Sequence, residues 1–391
     1  MANRELPIIG VVGAGTMGAG IAQLALEHGH EVVIHDVDEA AIERGRERIR
    51  DGLAKRATKL GLDADTVDDW IDGRFTRLRE AETLAGLGGE IDVAIEAAIE
   101  DLELKRDVFR ALDAAAPDAT LATNTSALSV AAIAEATTRP GRVVGLHFFN
   151  PAPLMALVEV VAAPQTSQRV VVRAAALVQG WGKTAVLSKD SPGFIVNRVN
   201  RPFTLEALAM LERGEAGVEA IDDAVRAAGY PMGPFELMDL IGVDVNLAVA
   251  RAIWEGLGRA ERFRPSPVQE RLVAEGRLGR KSDAGFYWYD SGRRGEPYEG
   301  LGEGPLEPEA IVERLELAIV AEAYRALADG VAGEPDIDLA LRLGAGHHVG
   351  PFERVRAWGG AQVVRERLAS LQDRGARFEV PAGLVPPETT G

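Results

Sequence analysis

Ile8-Ile9-Gly10-Val11-Val12-Gly13-Ala14-Gly15-Thr16-Met17-Gly18 is the stretch that decides the fold. A short apolar, β-branched run reads as a buried strand, and glycines at G-x-G-x-x-G spacing read as a tight turn. Ile21, Leu24 and Ala25 then recur at helical spacing until Glu27-His28-Gly29 stops them. Glu31-Val32-Val33-Ile34-His35-Asp36 follows as a second strand ending in an acid. The glycine motif alone is a weak signal. A strand before it, a helix after it and an acid closing the next strand turn it into a dinucleotide fingerprint. Gly13, Gly15 and Gly18 let backbone approach a pyrophosphate, while Thr16 and Met17 begin the helix whose amino end favours that charge. Asp36 is placed to accept from adenosine ribose hydroxyls. A carboxylate there repels a 2′-phosphate, so NAD is expected rather than NADP.

Working outward, the alternation continues. Residues 39–60 read as a long polar helix, followed by an acidic connector containing Gly61 and Gly73. Asp92-Val93-Ala94-Ile95-Glu96-Ala97-Ala98 is strand-like, 102–115 helical, Thr120-Leu121-Ala122-Thr123-Asn124-Thr125-Ser126 a strand running into a polar tip, and 130–136 a short helix. Such alternation implies a mostly parallel, doubly wound sheet of Rossmann type, with ligands gathered at the carboxyl ends of strands. Glu100, Ser126 and His147 fall at or just beyond such ends. Ser126 on its own also reads as a helix cap.

Two apolar runs, Val143-Val144-Gly145-Leu146-His147-Phe148-Phe149 and Leu157-Val158-Glu159-Val160-Val161, flank a Pro-rich turn. If that turn centres near Pro153, His147 and Glu159 are equally distant from it and face each other across the strand pair. Buried polar groups need partners, so the glutamate would accept from one ring nitrogen and leave the other for chemistry.

A helix at 167–179 and a strand at 183–187 close a first domain, expected to span 1–188. Beyond it the pattern turns to helices without strands. Asp190-Ser191-Pro192-Gly193-Phe194 reads as a cap and Pro at the start of a helix that carries Asn197, Arg198 and Arg201 to about residue 213. Further helices are expected at 217–228 and 240–256, then a basic, Gly-rich ending at 276–287. The pattern Glu206-Ala207 with Gly229-Tyr230-Pro231-Met232-Gly233-Pro234-Phe235-Glu236 recurs as Glu322-Ala323 with Gly346-His347-His348-Val349-Gly350-Pro351-Phe352-Glu353. A helical unit is therefore duplicated, as 189–290 and a degenerate copy at 306–391, joined by a Gly/Pro-rich linker at 291–308. The second copy lacks the Pro-Gly-Phe and Asn of the first, which suits a packing role. His347 and His348, adjacent on irregular backbone, make a poor metal site, and no metal is expected.

Composition narrows the function classes. The chain has 391 residues, 47% apolar and 26% charged, with no cysteine, so disulfides, thiolate metal sites and Cys nucleophiles are excluded. A net charge of −17 opposes nonspecific nucleic-acid binding. No apolar run is long enough for a bilayer span and the amino-terminal residues do not read as a secretory signal, so a cytoplasmic protein without a membrane partner is expected. An anionic ligand needs a local basic patch, and Arg44, Arg46, Arg48, Arg50, Lys55, Arg56 and Lys59 supply one against only Glu47 and Asp51. A solvated helix face would look the same.

Taken in order, Gly13 to Gly18 with Asp36, Glu100 to Lys105, Asn124-Thr125-Ser126, His147-Phe148-Phe149-Asn150-Pro151 with Glu159, and Pro192-Gly193-Phe194 with Asn197-Arg198 resemble the L-3-hydroxyacyl-CoA dehydrogenase family over nearly the whole chain. The resemblance implies NAD-dependent oxidation of (S)-3-hydroxyacyl-CoA to 3-oxoacyl-CoA. His147 would be the catalytic base and Glu159 its partner, with Ser126 and Asn197 holding the reacting oxygen. Glu100, Lys105, Ser126 and Asn150 would sit on the nicotinamide side. Lys59 falls where the family contacts CoA, with Lys55 and Arg56 beside it, although Gly52 stands where the family has a hydroxyl. The helical part looks most like the 3-hydroxybutyryl- and 3-hydroxyadipyl-CoA dehydrogenases, the latter often in tandem form. Arg201, one turn after Asn197, is expected to meet a distal carboxylate or a CoA phosphate, or to be a surface residue. Alternatives within and beyond the enzyme class are a sugar-acid 3-dehydrogenase of the same superfamily and a noncatalytic NAD-binding or structural relative. Single-unit relatives dimerise through the helical domain, so a homodimer and a monomer with an intrachain pseudo-dimer are both open.

Overall fold

A computed structural model describes residues 6–298 and 304–384 and divides the chain into two compact units, Met1–Asp190 and Ser191–Gly391. Part of the expected linker, 299–303, and the end of the second repeat, 385–391, lie outside the described residues. Among the described residues no helix is long and apolar enough to cross a membrane.

The first unit runs β1 (Ile9–Val12), α1 (Thr16–Glu27), β2 (Val32–His35), α2 (Glu39–Lys59), α3 (Ala64–Phe75), β3 (Leu78–Glu80), β4 (Val93–Glu96), α4 (Leu102–Ala115), β5 (Thr120–Thr123), α5 (Val130–Ala134), β6 (Val143–Phe148), β7 (Leu157–Ala162), α6 (Gln168–Gly180) and β8 (Thr184–Lys189). Its eight strands pair in the order β3-β2-β1-β4-β5-β6-β7-β8. All neighbours are parallel except β6 and β7. β1 and β2 are buried at every position because helices cover both faces, which is why they read as unbroken apolar runs. The chain builds outward from β1 to β3 and returns to β4 on the other side of β1. The carboxyl ends of β1 and β4 thus form the crevice where a doubly wound sheet takes its ligand.

α3 and β3 occupy the stretch expected to be an acidic connector. Val67, Trp70 and Phe75 of α3 pack on the core and Ile71 is buried. Five aspartates on and just before its exposed side hide that helical spacing in the sequence. A second correction concerns Asp190, read as a cap for the helix after it. Its carboxylate instead accepts from Ser129 Oγ at 2.9 Å and from the amides of Val130 and Ala131 at 3.1 and 2.8 Å, so it caps α5.

The second unit contains α7 (Val196–Val199), α8 (Arg201–Glu212), α9 (Val218–Ala227), α10 (Pro234–Ile241), α11 (Val243–Gly256), α12 (Pro267–Ala274), β9 (Tyr287–Asp290), β10 (Arg293–Pro297), α13 (Pro308–Ala328), α14 (Glu334–Gly344), α15 (Pro351–Ala357) and α16 (Ala361–Ser370). Its first helix starts later than expected, because Gly193 and Phe194 adopt left-handed backbone with φ of 78° and 50°. Pro202, lacking an N–H, breaks the helix at Asn200. The helix expected at 240–256 is two helices parted at Gly242, whose φ is 106°. The β9–β10 hairpin and α12 were not anticipated, and β10 lies in the stretch read as linker.

The duplication is visible contact by contact. Asp222 accepts from the amides of Phe235 and Glu236, both at 3.0 Å, to start α10. Asp338 accepts from Phe352 and Glu353, at 2.7 and 3.1 Å, to start α15. The two copies then clasp each other reciprocally. Arg198 and Arg262 converge on Glu322 at 2.9 and 2.8 Å, while their counterparts Arg314 and Arg377 converge on Glu206, the latter at 2.7 Å.

Candidate functional site

The glycine turn divides its labour among its three glycines. A Cβ on Gly13, whose φ is +100°, would stand 2.6 Å from Ala97 O, and one on Gly18 would stand 1.8 Å from Gly13 O, so the fold itself demands both. A Cβ on Gly15 would meet no protein atom within 4 Å. The space above Gly15 is the cradle that a dinucleotide backbone fits. α1 begins there with no side-chain cap and no acid in its first turn, so its orphan amides and dipole are presented to an anion. Asp36 accepts from Ala14 N at 2.7 Å and from Asp38 N at 3.2 Å, fixing the loop from beneath while standing at the end of β2.

Between β4 and β5 lies a network centred on a residue that the sequence reading did not single out. Glu96, fully buried, accepts from Lys105 Nζ at 2.6 Å, Thr123 Oγ1 at 2.7 Å and Ala98 N at 2.7 Å. Lys105 is 1% exposed and also reaches Glu100 Oε2 at 3.4 Å. The ammonium is held by these two carboxylates, which links Lys105 to Glu100 at the carboxyl end of β4. Glu100 in turn gathers the β5 tip: its Oε1 accepts from Thr125 Oγ1 at 2.6 Å, Ser126 N at 2.8 Å and Ala127 N at 3.2 Å. Glu96 carried the same signal as His147, a polar residue inside an apolar strand.

β6 and β7 pair in the register His147↔Glu159, as the symmetric spacing about Pro153 anticipates. His147 Nδ1 lies 2.6 Å from Glu159 Oε2, with His147 4% exposed and Glu159 fully buried. A carboxylate accepting at Nδ1 assigns the neutral ring's proton to that nitrogen and its lone pair to Nε2. The Phe149 ring packs on the imidazole with centroids 4.5 Å apart. Asn124 Oδ1 accepts from Phe148 N at 2.9 Å, which ties the His147 strand end to the Ser126 tip. Lys183, buried, donates to the carbonyls of Pro153 and Met155 at 2.9 and 2.8 Å and pins the intervening turn; desolvation lowers its pKa.

A cavity of about 760 Å³ opens beside α1, lined by Lys55, Arg56 and Lys59 of α2 together with Arg48, Asn150 and Lys183. Arg56 lies 3.6 Å from Glu27, and elsewhere on α2 Arg44, Arg46 and Arg50 pair with Asp38, Glu80 and Asp72. Much of the basic cluster is thus a paired surface; around the cavity Arg48, Lys55, Arg56 and Lys59 stand with Glu27 and Asp51, so its lining keeps an excess of positive charge. Asn197 and Arg201 belong to the second unit, in α7 and at the start of α8. Among the described residues no group of His, Cys, Asp or Glu is arranged to hold a metal ion.

The 3-hydroxyacyl-CoA dehydrogenase NAD-binding domain model matches residues 8–191, and the same family's C-terminal domain model matches twice, over 193–289 and 311–379. The chain belongs to the 3-hydroxyacyl-CoA dehydrogenase family. Membership places it among NAD-dependent oxidoreductases. The 3-hydroxyadipyl-CoA dehydrogenase of Escherichia coli K12 is 36% identical over 93% of this chain and 92% of that protein. The mitochondrial hydroxyacyl-coenzyme A dehydrogenase of Sus scrofa is 41% identical over 71% of this chain and 90% of that protein. Among solved structures, the 3-hydroxybutyryl-CoA dehydrogenase of Escherichia coli K12 superimposes with a TM-score of 0.85 at 34% identity, covering 97% of this chain and 98% of that one.

Proposed function

We propose that the protein oxidises short (S)-3-hydroxyacyl-CoA thioesters, plain or dicarboxylic, to 3-oxoacyl-CoA, with His147 as general base. The observation that carries the reading is the buried His147–Glu159 pair, in which the carboxylate engages Nδ1 and so orients Nε2 as the ring's other nitrogen. NAD, when bound, supplies the hydride acceptor. His147 Nε2 takes the hydroxyl proton as the C3 hydride departs, a role worth on the order of 10²–10⁴ in rate. Glu159 fixes the tautomer and stabilises the imidazolium that forms. Ser126, held by Glu100, and Asn197 hold the reacting oxygen. Gly13, Gly15, Gly18 and Asp36 cradle the dinucleotide, and Glu100 and Asn150 stand on its nicotinamide side. Lys55, Arg56 and Lys59 take the CoA phosphates in the cavity beside α1.

The reading treats 1–188 as the NAD domain, 189–290 as the helical domain and 306–391 as its degenerate copy, in a cytoplasmic protein. The reciprocal contacts on Glu206 and Glu322 support a monomer in which the second copy takes the place of a partner subunit; light scattering giving twice the chain mass would overturn that. The catalytic assignment is tested by His147→Gln in an NADH-coupled assay with acetoacetyl-CoA. Turnover is expected to fall at least 10³-fold with NADH affinity within about threefold of the parent. Retained turnover removes His147 from the role.

A further inference from the structure

Arg201 opens α8 where no described residue accounts for its charge. The side chain is 6% exposed, its Nε has no partner, and its guanidinium makes no hydrogen bond or ion pair to any described residue. Other buried arginines of this unit are answered: Arg198 by Glu322, Arg314 by Glu206, Arg277 by the carbonyl of Gly285. Desolvation, with no carboxylate to offset it, holds the Arg201 guanidinium down at about 10. A buried cation without a counter-charge is costly. The duplicated fold shows what packing alone would place there. At the corresponding position of the second copy stands Leu317, buried at 0% in the core. The copy that carries Arg201 is also the one that carries Asn197, whose counterpart is Glu313.

We propose that Arg201 receives a carboxylate at the far end of the acyl chain and so makes the enzyme selective for dicarboxylic 3-hydroxyacyl-CoA substrates. The proposal rests on the reading that Asn197 holds the reacting oxygen. Asn200 continues the chain in right-handed helical backbone, with φ −83° and ψ −9°, so Asn197 and Arg201 stand about one turn, ~6 Å, apart on one face. A carboxylate a few carbon–carbon bonds beyond the hydroxylated carbon falls within that span. The CoA phosphates leave in the other direction, at the far end of the pantetheine arm. The planar guanidinium fork also matches a carboxylate's two oxygens.

The test uses the full chain and two unreactive ligands that differ only at the chain end, adipyl-CoA and hexanoyl-CoA, with binding read by calorimetry. The parent is expected to bind adipyl-CoA on the order of 10- to 100-fold more tightly, and Arg201→Met is expected to erase that preference. Equal affinities in the parent, or a preference that survives Arg201→Met, overturn the proposal. So does a parallel loss of affinity for both ligands and for free CoA, which would assign Arg201 to a phosphate. If Arg201→Met does not fold, Arg201→Gln, which keeps a polar head without the charge, takes its place in the same comparison. A parent that prefers adipyl-CoA yet oxidises neither 3-hydroxybutyryl-CoA nor 3-hydroxyadipyl-CoA keeps the receptor and sinks the oxidation reading. A parent that oxidises both without preference does the reverse.

Discussion

Arg198 Nε donates to Glu322 at 2.9 Å across the two helical repeats, with both side chains at or below 1% exposure. Because Arg314 and Glu206 are their counterparts, the contact is made twice in opposite directions, like the isologous face of a two-fold dimer contained in one chain. Two further positions obey the same exchange: Tyr230 donates to Glu316 at 3.1 Å, and His347, the counterpart of Tyr230, meets Asn200, the counterpart of Glu316, at 2.8 Å.

Removing one acceptor from this clasp takes a buried carboxylate from two arginines, of which Arg198 keeps Asp329 and Arg314 keeps Glu215. Glu322→Gln leaves Arg198 and Arg262 without their shared carboxylate, and Glu206→Gln does the same to Arg314 and Arg377. Each substitution is expected to cost about 2–3 kcal/mol, below the roughly 3–5 kcal/mol of a fully uncompensated buried charge, because one arginine of each pair keeps a second carboxylate. Urea unfolding measures it, and a loss under 1 kcal/mol for both variants would mean that the repeats are held together mainly by apolar packing.

His347 adds a pH dependence to the same interface. Burial lowers its pKa to about 4, with Arg354 and His348 pushing the same way, while Nε2 meets Asn200 Oδ1. The ordinary value is near 6.5, so between about pH 6.5 and 4 the unfolded chain binds the proton and the folded one does not. The folded state keeps its full advantage above pH 6.5 and loses it as pH falls towards 4, by roughly 3 kcal/mol in total. His347→Gln should flatten that part of the stability curve relative to the parent. Parallel curves over this window would show that His347 titrates normally.

The dinucleotide turn and the His147–Glu159 pair were legible because their signals are local: glycine spacing in one case, two polar residues mirrored about a turn in the other. Long-range partners were not. Asp190 caps a helix some sixty positions upstream, and nothing in Asp-Ser-Pro distinguishes that from a cap for its own helix. The charge of Lys105 was visible in the sequence, but its burial against Glu96 was not. Arg201 allowed three readings from sequence, and its burial without a counter-charge removes the surface one. The missed α3 has another cause, since its aspartates dilute the apolar period that places Trp70 and Ile71 inside.

Gly15 and Gly18 allow fold and ligand requirements to be separated within one motif. Gly18→Ala forces a methyl onto Gly13 O and should destabilise the domain by several kcal/mol. Gly15→Ala places the same methyl in open space on extended backbone, φ −66° and ψ −170°, at a helix N-cap, where the stability cost stays within about 1 kcal/mol. NADH affinity should nonetheless fall at least tenfold, since that space is where a pyrophosphate would lie against the amides. Fluorescence titration of NADH beside thermal unfolding checks both, and unchanged NADH affinity in Gly15→Ala would move the dinucleotide away from this turn.

Lys105 offers the sharpest distinction between holding the fold and positioning the chemistry. Lys105→Met leaves Glu96 buried with only Thr123 and Ala98 as donors and deprives Glu100 of its neighbouring cation. Stability should fall by about 3–5 kcal/mol as an uncompensated buried carboxylate appears. Adding Glu96→Gln removes that charge and should restore much of the stability, because the pair is then replaced by neutral groups of similar size. Activity should not return with it. Glu100 collects Thr125, Ser126 and Ala127 through one oxygen, and without Lys105 behind it the Ser126 tip loses its fixed position, for which a displacement near 1 Å costs on the order of 10² in rate. The loss should appear in kcat with NADH affinity little changed. A double variant that regains both stability and kcat would show that Lys105 serves the fold alone and that Glu100 positions Ser126 without it.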